Sequence, residues 1–294
     1  FQQWLQQDHP PTKVILDFGN TTLIDSSGIG SLLGSLKTAR AQKIQVVVWS
    51  LNAQVQLAFS LAGLEQLFAV EVNTEATAKT PIRQSTQQPL LIHRSVRSPV
   101  KRMIDIVGAI VGLSVTGVLL VPIAIAIQLD NPGPIFFQQT RCGLMGRHFW
   151  IWKFRSMVTH AEALKHTIEN QAEGAFFKND QDPRITRVGR FLRKTSLDEF
   201  PQFWNVLKGD MSLIGTRPPT PDEINQYEVL NWQRLDVKPG LSGEWQVNGR
   251  SKIRDFEEVI RLDLRYQDNW SLMYDLKLIL KTFLVIFRKD SGAV

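Results

Sequence analysis

The sequence predicts two modules of different character, a small α/β module followed by a larger, mostly α-helical module associated with a membrane. Three observations carry this. Two short β-branched runs, 14–18 and 44–49, flank a helical apolar stripe. A polar stretch over 73–98 then lacks apolar periodicity and reads as a linker. Beyond it, residues 106–129 run without a charge. The expected domains are 1–72, 73–98 and 99–294.

Composition narrows the function classes. With 294 residues, 43% of them hydrophobic and 21% charged, the chain is no disordered polymer. A single cysteine, Cys142, excludes an intramolecular disulfide and a four-cysteine zinc site. The formal charge of +6 asks for an anionic partner, which nucleic acid, phosphorylated metabolites and anionic lipid all satisfy. The cations are scattered rather than striped, which disfavours nucleic acid. The opening FQQWLQQ has no charged-then-apolar leader, so no signal peptide is expected. Residues 73–98 hold 4 Lys/Arg against 1 Asp/Glu, so the linker ends in a basic arm.

In the first module, VILDF (14–18) and IQVVVW (44–49) read as buried strands. Ile29, Leu32, Leu33 and Leu36 recur at helical spacing between them and should face a sheet. Strand, helix, strand in that order favours a parallel crossover. A second apolar helix is expected over Ala53–Leu61. The turn Asp25-Ser26-Ser27-Gly28 opens the first helix, where Asp and Ser cap free N–H groups. The strands and the DSSGIGSLL turn-helix resemble a STAS domain. That resemblance implies a second reading of Ser27, as a phosphorylation site. It also implies a regulatory or assembly role, through a homo-oligomer or a regulatory partner.

The apolar run 106–129 would extend about 36 Å as a helix, enough to span a bilayer. Pro122 lies inside it, with Arg94, Arg97, Lys101 and Arg102 before and Arg141, Arg147, Lys153 and Arg155 after. A single crossing would put one basic group on the wrong side. A re-entrant hairpin bent at Pro122 keeps both flanks on one side, with Ser114, Thr116 or neighbouring protein meeting the freed backbone. A Pro-kinked transmembrane helix is the alternative. Near the end, Leu272, Leu276, Ile279, Leu280 and Phe283 form a stripe that suits either a headgroup layer or a core.

The chemistry concentrates in 184–219. Ser196 and Glu199 form an S-x-x-E capping-box pattern, with Phe200, Phe203, Trp204 and Leu207 carrying a helix that Gly209 ends. Asp198 and Glu199 then lie in a first helical turn, where acids complement the dipole without further purpose. Around them stand Arg184, Arg187, Arg190, Arg193, Lys194, Lys208 and Arg217. Cations beside a helix start suit a phosphate, and adjacent carboxylates can bind a divalent cation. Together they suggest phosphoryl transfer, with an Asp as nucleophile.

The runs KRMIDIVGAIVGL, NPGPIFFQQTRCGLMGRHFWIWKFRSM, DPRITRVGRFLRKTSLDEFPQFWNVLKGDMSLIGTRP, KPGLSGEWQVNGR and LDLRYQDNWSLMYDLKLILKT resemble the bacterial sugar transferases. These are the monotopic polyprenyl-phosphate phosphoglycosyl transferases of the bacterial cytoplasmic membrane. The resemblance implies a re-entrant helix entering from the cytoplasmic face and bent at Pro122. It implies that Asp198, paired with Glu199, attacks the β-phosphorus of a UDP-sugar, releasing UMP. A polyprenyl phosphate then takes the phosphosugar, with Mg²⁺ assisting. Asp198 and a further family acid at Asp263 are the implied cation ligands. Of the cations, Arg184, Arg193 and Arg217 match the motif best for masking phosphate charge. Lys153 and Arg155 are further phosphate candidates, and Gln246 and Arg250 candidates for the nucleotide. The wording of NPGPIFFQQTRCG and IGTRPPTPDE is similar to transferases of hexose 1-phosphates such as glucose or galactose. The competing reading is a membrane-bound regulatory scaffold working through its STAS-like module.

Overall fold

A computed structural model describes residues 11–18, 21, 23–51, 53–64, 92–172, 177, 179, 181–224, 226–227, 229–249, 253 and 255–287. The chain divides into two compact units. The first takes the chain before His93 together with two later segments, Leu144–Arg147 and Glu228–Asp236. The second takes the remainder.

In the first unit, β1 (Lys13–Phe18) and β2 (Gln45–Leu51) pair in parallel, from Lys13 opposite Gln45 to Asp17 opposite Trp49. Helix α1 (Ser26–Ala41) makes the crossover and α2 (Ala53–Ala62) follows β2. Ile29, Val47, Val48, Val55 and Phe59 are buried, and Phe18 meets Phe59 edge-on at 5.5 Å. The expected stripe on α1 is only half realised. Ile29 and Leu32 are buried, whereas Leu33 and Leu36 are partly exposed. The buried face runs instead through small residues, Ser26, Ser27, Gly30, Ser35 and Ala39, which let neighbours approach the helix backbone. One neighbour is Trp232, whose indole lies 2.3 Å from where a Gly30 Cβ would be. The helix is capped by Asp25, which accepts from the Gly28 N–H at 2.8 Å. Ser27 lies two positions past the cap, inside the first turn, and its hydroxyl is buried.

In the second unit, α3 (Arg94–Arg97) leads into α4 (Pro99–Asp130). Ser98 caps α4 by accepting from the Lys101 N–H, and Pro99 occupies the first turn, where no N–H is needed. The 32 residues form one helix that continues through Pro122; at 1.5 Å per residue this is about 48 Å. One face, with Asp105, Ala109, Gly112, Thr116, Ile123 and Ile127, is buried. The other exposes Val107, Val111, Val115, Val118, Val121, Ile125 and Leu129 at spacings of three or four, with Leu129 83% exposed. A continuous apolar stripe of this kind, open along its whole length, fits a hydrocarbon environment. Ser114 and Thr116 donate to the carbonyls of Ile110 and Gly112, not to the Val118 carbonyl that Pro122 leaves unbonded.

Strands β3 (Phe136–Cys142) and β4 (His148–Phe154) form an antiparallel hairpin, with Phe137 opposite Lys153. Then come α5 (Arg187–Lys194), a 3-10 turn over Leu197–Gln202 and α6 (Phe203–Lys208), which ends at Gly209 with φ 93°. Strand β5 (Ser212–Ile214), α7 (Pro221–Ile224), β6 (Gly240–Ser242), α8 (Glu244–Val247), α9 (Phe256–Asp268) and α10 (Leu272–Phe287) complete the unit, with β5 and β6 parallel. The α10 stripe divides. Leu278 is fully buried and Ile279 packs beside it, while Leu276, Leu280 and Phe283 are exposed.

The foot of α4 is tied down by a buried network. The Lys101 ammonium donates to Asp275 Oδ2 at 2.6 Å, to the Ile214 carbonyl at 3.0 Å and to the Tyr266 hydroxyl at 3.4 Å. Asp275 also accepts from the Tyr266 hydroxyl at 2.9 Å and the Trp270 indole at 3.0 Å. Beside it, Asp105 Oδ1 accepts from the Ser212 hydroxyl and the Leu213 N–H, both at 2.9 Å. The long apolar helix is thereby locked to α9, α10 and β5 at its polar end.

Candidate active site

Asp198 and Glu199 lie in the 3-10 turn Leu197–Gln202, not in a regular α-helix. The expected capping box does not form. Ser196 takes a left-handed conformation, φ 58°, and its side chain caps nothing in the turn. Pro201, inside the turn, has no N–H to offer a regular ladder. The other half of the box is also engaged elsewhere, because Glu199 Oε1 accepts from the Lys153 ammonium at 2.8 Å. Asp198 is buried and Glu199 is partly exposed.

Strand β4 delivers Lys153 to this turn. Its backbone is held from the α6 side by Asn205, which is fully buried. The Asn205 side chain accepts from the Trp152 N–H at 3.2 Å and donates to the Trp150 carbonyl at 2.7 Å. It thus bonds the β4 backbone as a neighbouring strand would. Arg193 arrives from α5 and donates to the Ser156 hydroxyl at 2.9 Å. Burial lowers the affinity of its guanidinium for a proton, while the charges of Asp198, Asp182 and Glu199 act in the opposite sense. Arg193 and Lys153 are therefore the expected cations that the fold brings to the two carboxylates.

Two others are engaged elsewhere. Arg184 is clamped by Asp182, with Nε to Oδ1 at 2.9 Å and Nη2 to Oδ2 at 2.7 Å, and its Nη1 donates to the Ala161 carbonyl. Arg155 donates to the carbonyl and side chain of Asn131, just past the end of α4. A bidentate guanidinium–carboxylate pair fixes the orientation of the Arg184 side chain. Arg155 is held at the α4 terminus by these bonds.

Arg217 also has a carboxylate partner. It reaches Glu223 through Nη1 to Oε2 at 2.6 Å and Nη2 to Oε1 at 3.1 Å, and it lies over the Trp245 ring at 5.9 Å. The sequence reading missed its neighbour Arg141, which donates to the Pro218 carbonyl at 2.9 Å and Gln139 Oε1 at 2.7 Å. Burial, with Arg217 beside it, lowers the Arg141 guanidinium to about 10, while Glu223 and Glu199 pull the other way. The period-two alternation of β3, which sets Gln139 and Arg141 on one face, was the signal available for it.

Gln246 is half-buried on α8, and Arg250 lies outside the described residues. Asp263 is fully buried on α9. Among the described residues no three His, Cys, Asp or Glu side chains cluster as a metal cage.

The comparisons with known proteins divide the chain along similar lines. Residues 1–80 match the STAS domain, and residues 96–289 match the bacterial sugar transferase family. The chain is 50% identical over 188 residues to a galactosyl transferase, CpsE, of Streptococcus agalactiae, covering 63% of this chain and 42% of that protein. It is 43% identical over 198 residues to the undecaprenyl-phosphate galactose phosphotransferase of Salmonella typhimurium, covering 65% and 41%. It is 39% identical over 197 residues to the UDP-glucose:undecaprenyl-phosphate glucose-1-phosphate transferase of Escherichia coli, covering 64% and 39%. The chain thus spans about two fifths of the length of these relatives. With the family match running from the foot of α4 through α10, behind an N-terminal STAS domain, the chain belongs to the bacterial sugar transferase family.

Proposed function

We propose that this chain transfers a hexose 1-phosphate from a UDP-sugar to polyprenyl phosphate, yielding polyprenyl-diphosphate-sugar and UMP. The reaction would begin surface polysaccharide assembly at the cytoplasmic face of the bacterial inner membrane. The observation that carries the reading is the buried Asp198 beside a Glu199 already held by Lys153, with Arg193 in electrostatic reach of both. In this reading the Asp198 carboxylate attacks the β-phosphorus and the bond to the bridging oxygen breaks, so that UMP departs with that oxygen. An oxygen of the lipid phosphate then attacks the same phosphorus and frees Asp198. Glu199, fixed by Lys153, accepts the lipid phosphate's proton or orients a cation. Mg²⁺, held by Asp198 and Asp263 with the phosphates, would supply charge neutralisation. Lys153, Arg193 and Arg217 offset further phosphate charge, while Gln246 and Arg250 are the proposed nucleotide contacts. The galactose and glucose named for the relatives make UDP-galactose and UDP-glucose the first donors to try. With Mg²⁺, purified protein should release at most one equivalent of UMP from one of them without undecaprenyl phosphate and many equivalents once the lipid is added. Absence of UMP with every UDP-hexose would refute the reading.

We further propose that α4 enters and leaves the bilayer on the same side, bending at Pro122. Arg97→Cys before it and Gln138→Cys after it should both react with a membrane-impermeant maleimide only once the cytoplasmic side is exposed. Native Cys142 gives little background, because burial pushes its thiol up to about 12 and keeps it protonated. One label reporting the periplasm would replace the hairpin with a crossing.

A further inference from the structure

Two segments that follow α4 in the chain are gathered into the first unit with α1. Leu144–Gly146 is the turn of the β3–β4 hairpin, and Met145 there takes a left-handed conformation, φ 54°, with its side chain buried. Its Sδ accepts from the Ser26 hydroxyl at 3.3 Å. Glu228–Asp236 lies between α7 and β6, and Asp236 Oδ1 accepts from the Ser26 N–H at 2.9 Å. That N–H belongs to the first turn of α1, where intrahelical acceptors are lacking. The second segment also carries Trp232, 7% exposed. Its indole lies against Gly30 on one side, and a Cβ on Gly146 would come within 3.0 Å of it on another. Donors, acceptors and shape thus match at the start of α1 with no room for one extra methyl at Gly30.

Chain continuity says what these segments govern. The first joins Arg141 on β3 to Lys153 on β4, and Lys153 holds Glu199. The second runs directly into Val237–Pro239. There the Pro239 carbonyl accepts from the Ser212 N–H at 2.8 Å, and Pro239 bridges to Thr216, next to Arg217. The first thus roots the strand that carries Lys153, and the second the bridge beside Arg217, both cations proposed to serve the phosphates.

We infer that the start of α1 in the STAS domain is a clasp for these two segments of the same chain, and that closing it sets the position of Lys153 and Arg217 for transfer. This rests on the transferase reading above and extends it to regulation. The clasp also gives the buried Ser26 and Ser27 a consequence, since any change that adds bulk or charge there must open it. Trp232 acts as a positioning residue, not as a group touching substrate.

The test is a size swap in the full-length chain. Gly30→Leu replaces a poor helix former by a good one, so a loss cannot come from helix propensity. It should open the clasp, speeding hydrogen exchange at Leu144–Gly146 and 229–236 and lowering UMP-release kcat by about tenfold with KM for the UDP-sugar little changed. Trp232→Ala should do the same. The double variant, with the leucine in the space the indole vacates, should recover exchange protection and most of kcat, a non-additivity that separate roles would not give. Additive losses, or a Gly30→Leu chain with unchanged exchange and kcat, would overturn the clasp. So would recovery on mixing the two single variants, which would seat a second copy's segments on α1. Wild type runs alongside: if it releases no UMP while the exchange pattern holds, the transferase reading fails and not the clasp.

Discussion

Asp198→Asn should abolish turnover, lowering UMP release by on the order of 10⁴-fold or more, as removal of an attacking group does in enzymes with covalent intermediates. The amide keeps the shape of the side chain and its place in the 3-10 turn, so the protein should fold and reach the membrane unchanged. What it loses is the charged oxygen that forms the bond to phosphorus. Glu199→Gln differs in kind. The Lys153–Glu199 pair, 2.8 Å apart and partly exposed, would lose its charge partner but keep a hydrogen-bond acceptor. It should reduce turnover by about 10²-fold, in the range of a displaced proton acceptor, and still permit some first-step chemistry. Single-turnover UMP release separates the two variants. Equal losses in the first step would merge the two roles.

Lys101→Met should be the most damaging change away from the site. It leaves the Asp275 carboxylate buried with only the Tyr266 hydroxyl and the Trp270 indole as donors. Breaking one side of a buried pair costs about 3–5 kcal/mol, because the surviving charge has no compensation. For a chain of this size that is a fall in Tm of roughly 10 °C or more, read by thermal unfolding in detergent. Lys101→Met with Asp275→Leu removes both charges and should recover much of the loss. If the single variant melts with wild type, the network is not what fixes the foot of α4. The burial of Tyr266 and its contact with Asp275 hold its phenol well above its usual proton affinity, so it stays a neutral donor throughout such measurements.

The parts of the fold that were legible from sequence are those where one periodicity dominates. The strands at Lys13–Phe18 and Gln45–Leu51 each hold a short β-branched run, and their parallel pairing follows from the helix between them. Gly209 could be read as a helix stop because a left-handed C-cap favours glycine. The long apolar helix was visible from its lack of charge. Its two-sidedness was not, since both faces are apolar and only packing decides which one stays open.

The candidate site was legible as a neighbourhood but not in its wiring. Asp198 and Glu199 stand in the expected acidic first turn, yet a 3-10 turn with Ser196 left-handed replaces the capping box. A spacing rule describes one helix and cannot register that Lys153, 46 residues earlier, competes for Glu199. The same limit explains Arg184. Its clamp, Asp182, lies two residues away, but DPR spacing alone does not say whether the guanidinium folds back or points outward. Arg141 was passed over because it looked like one more basic flank. Its meaning depends on Arg217 and Glu223 arriving from another part of the chain. The grip of α1 on Trp232 and Met145 was invisible for the same reason.

The most direct measurement is intact-mass spectrometry of the wild-type protein exposed to its UDP-sugar and Mg²⁺ without lipid acceptor, followed by peptide mapping. The account predicts a single hexose-phosphate adduct on the Leu197–Gln202 peptide, carried by Asp198. It should be absent in Asp198→Asn and discharged when undecaprenyl phosphate is added. An adduct mapped to any other residue would contradict it, as would UMP released in step with lipid product with no adduct at any time.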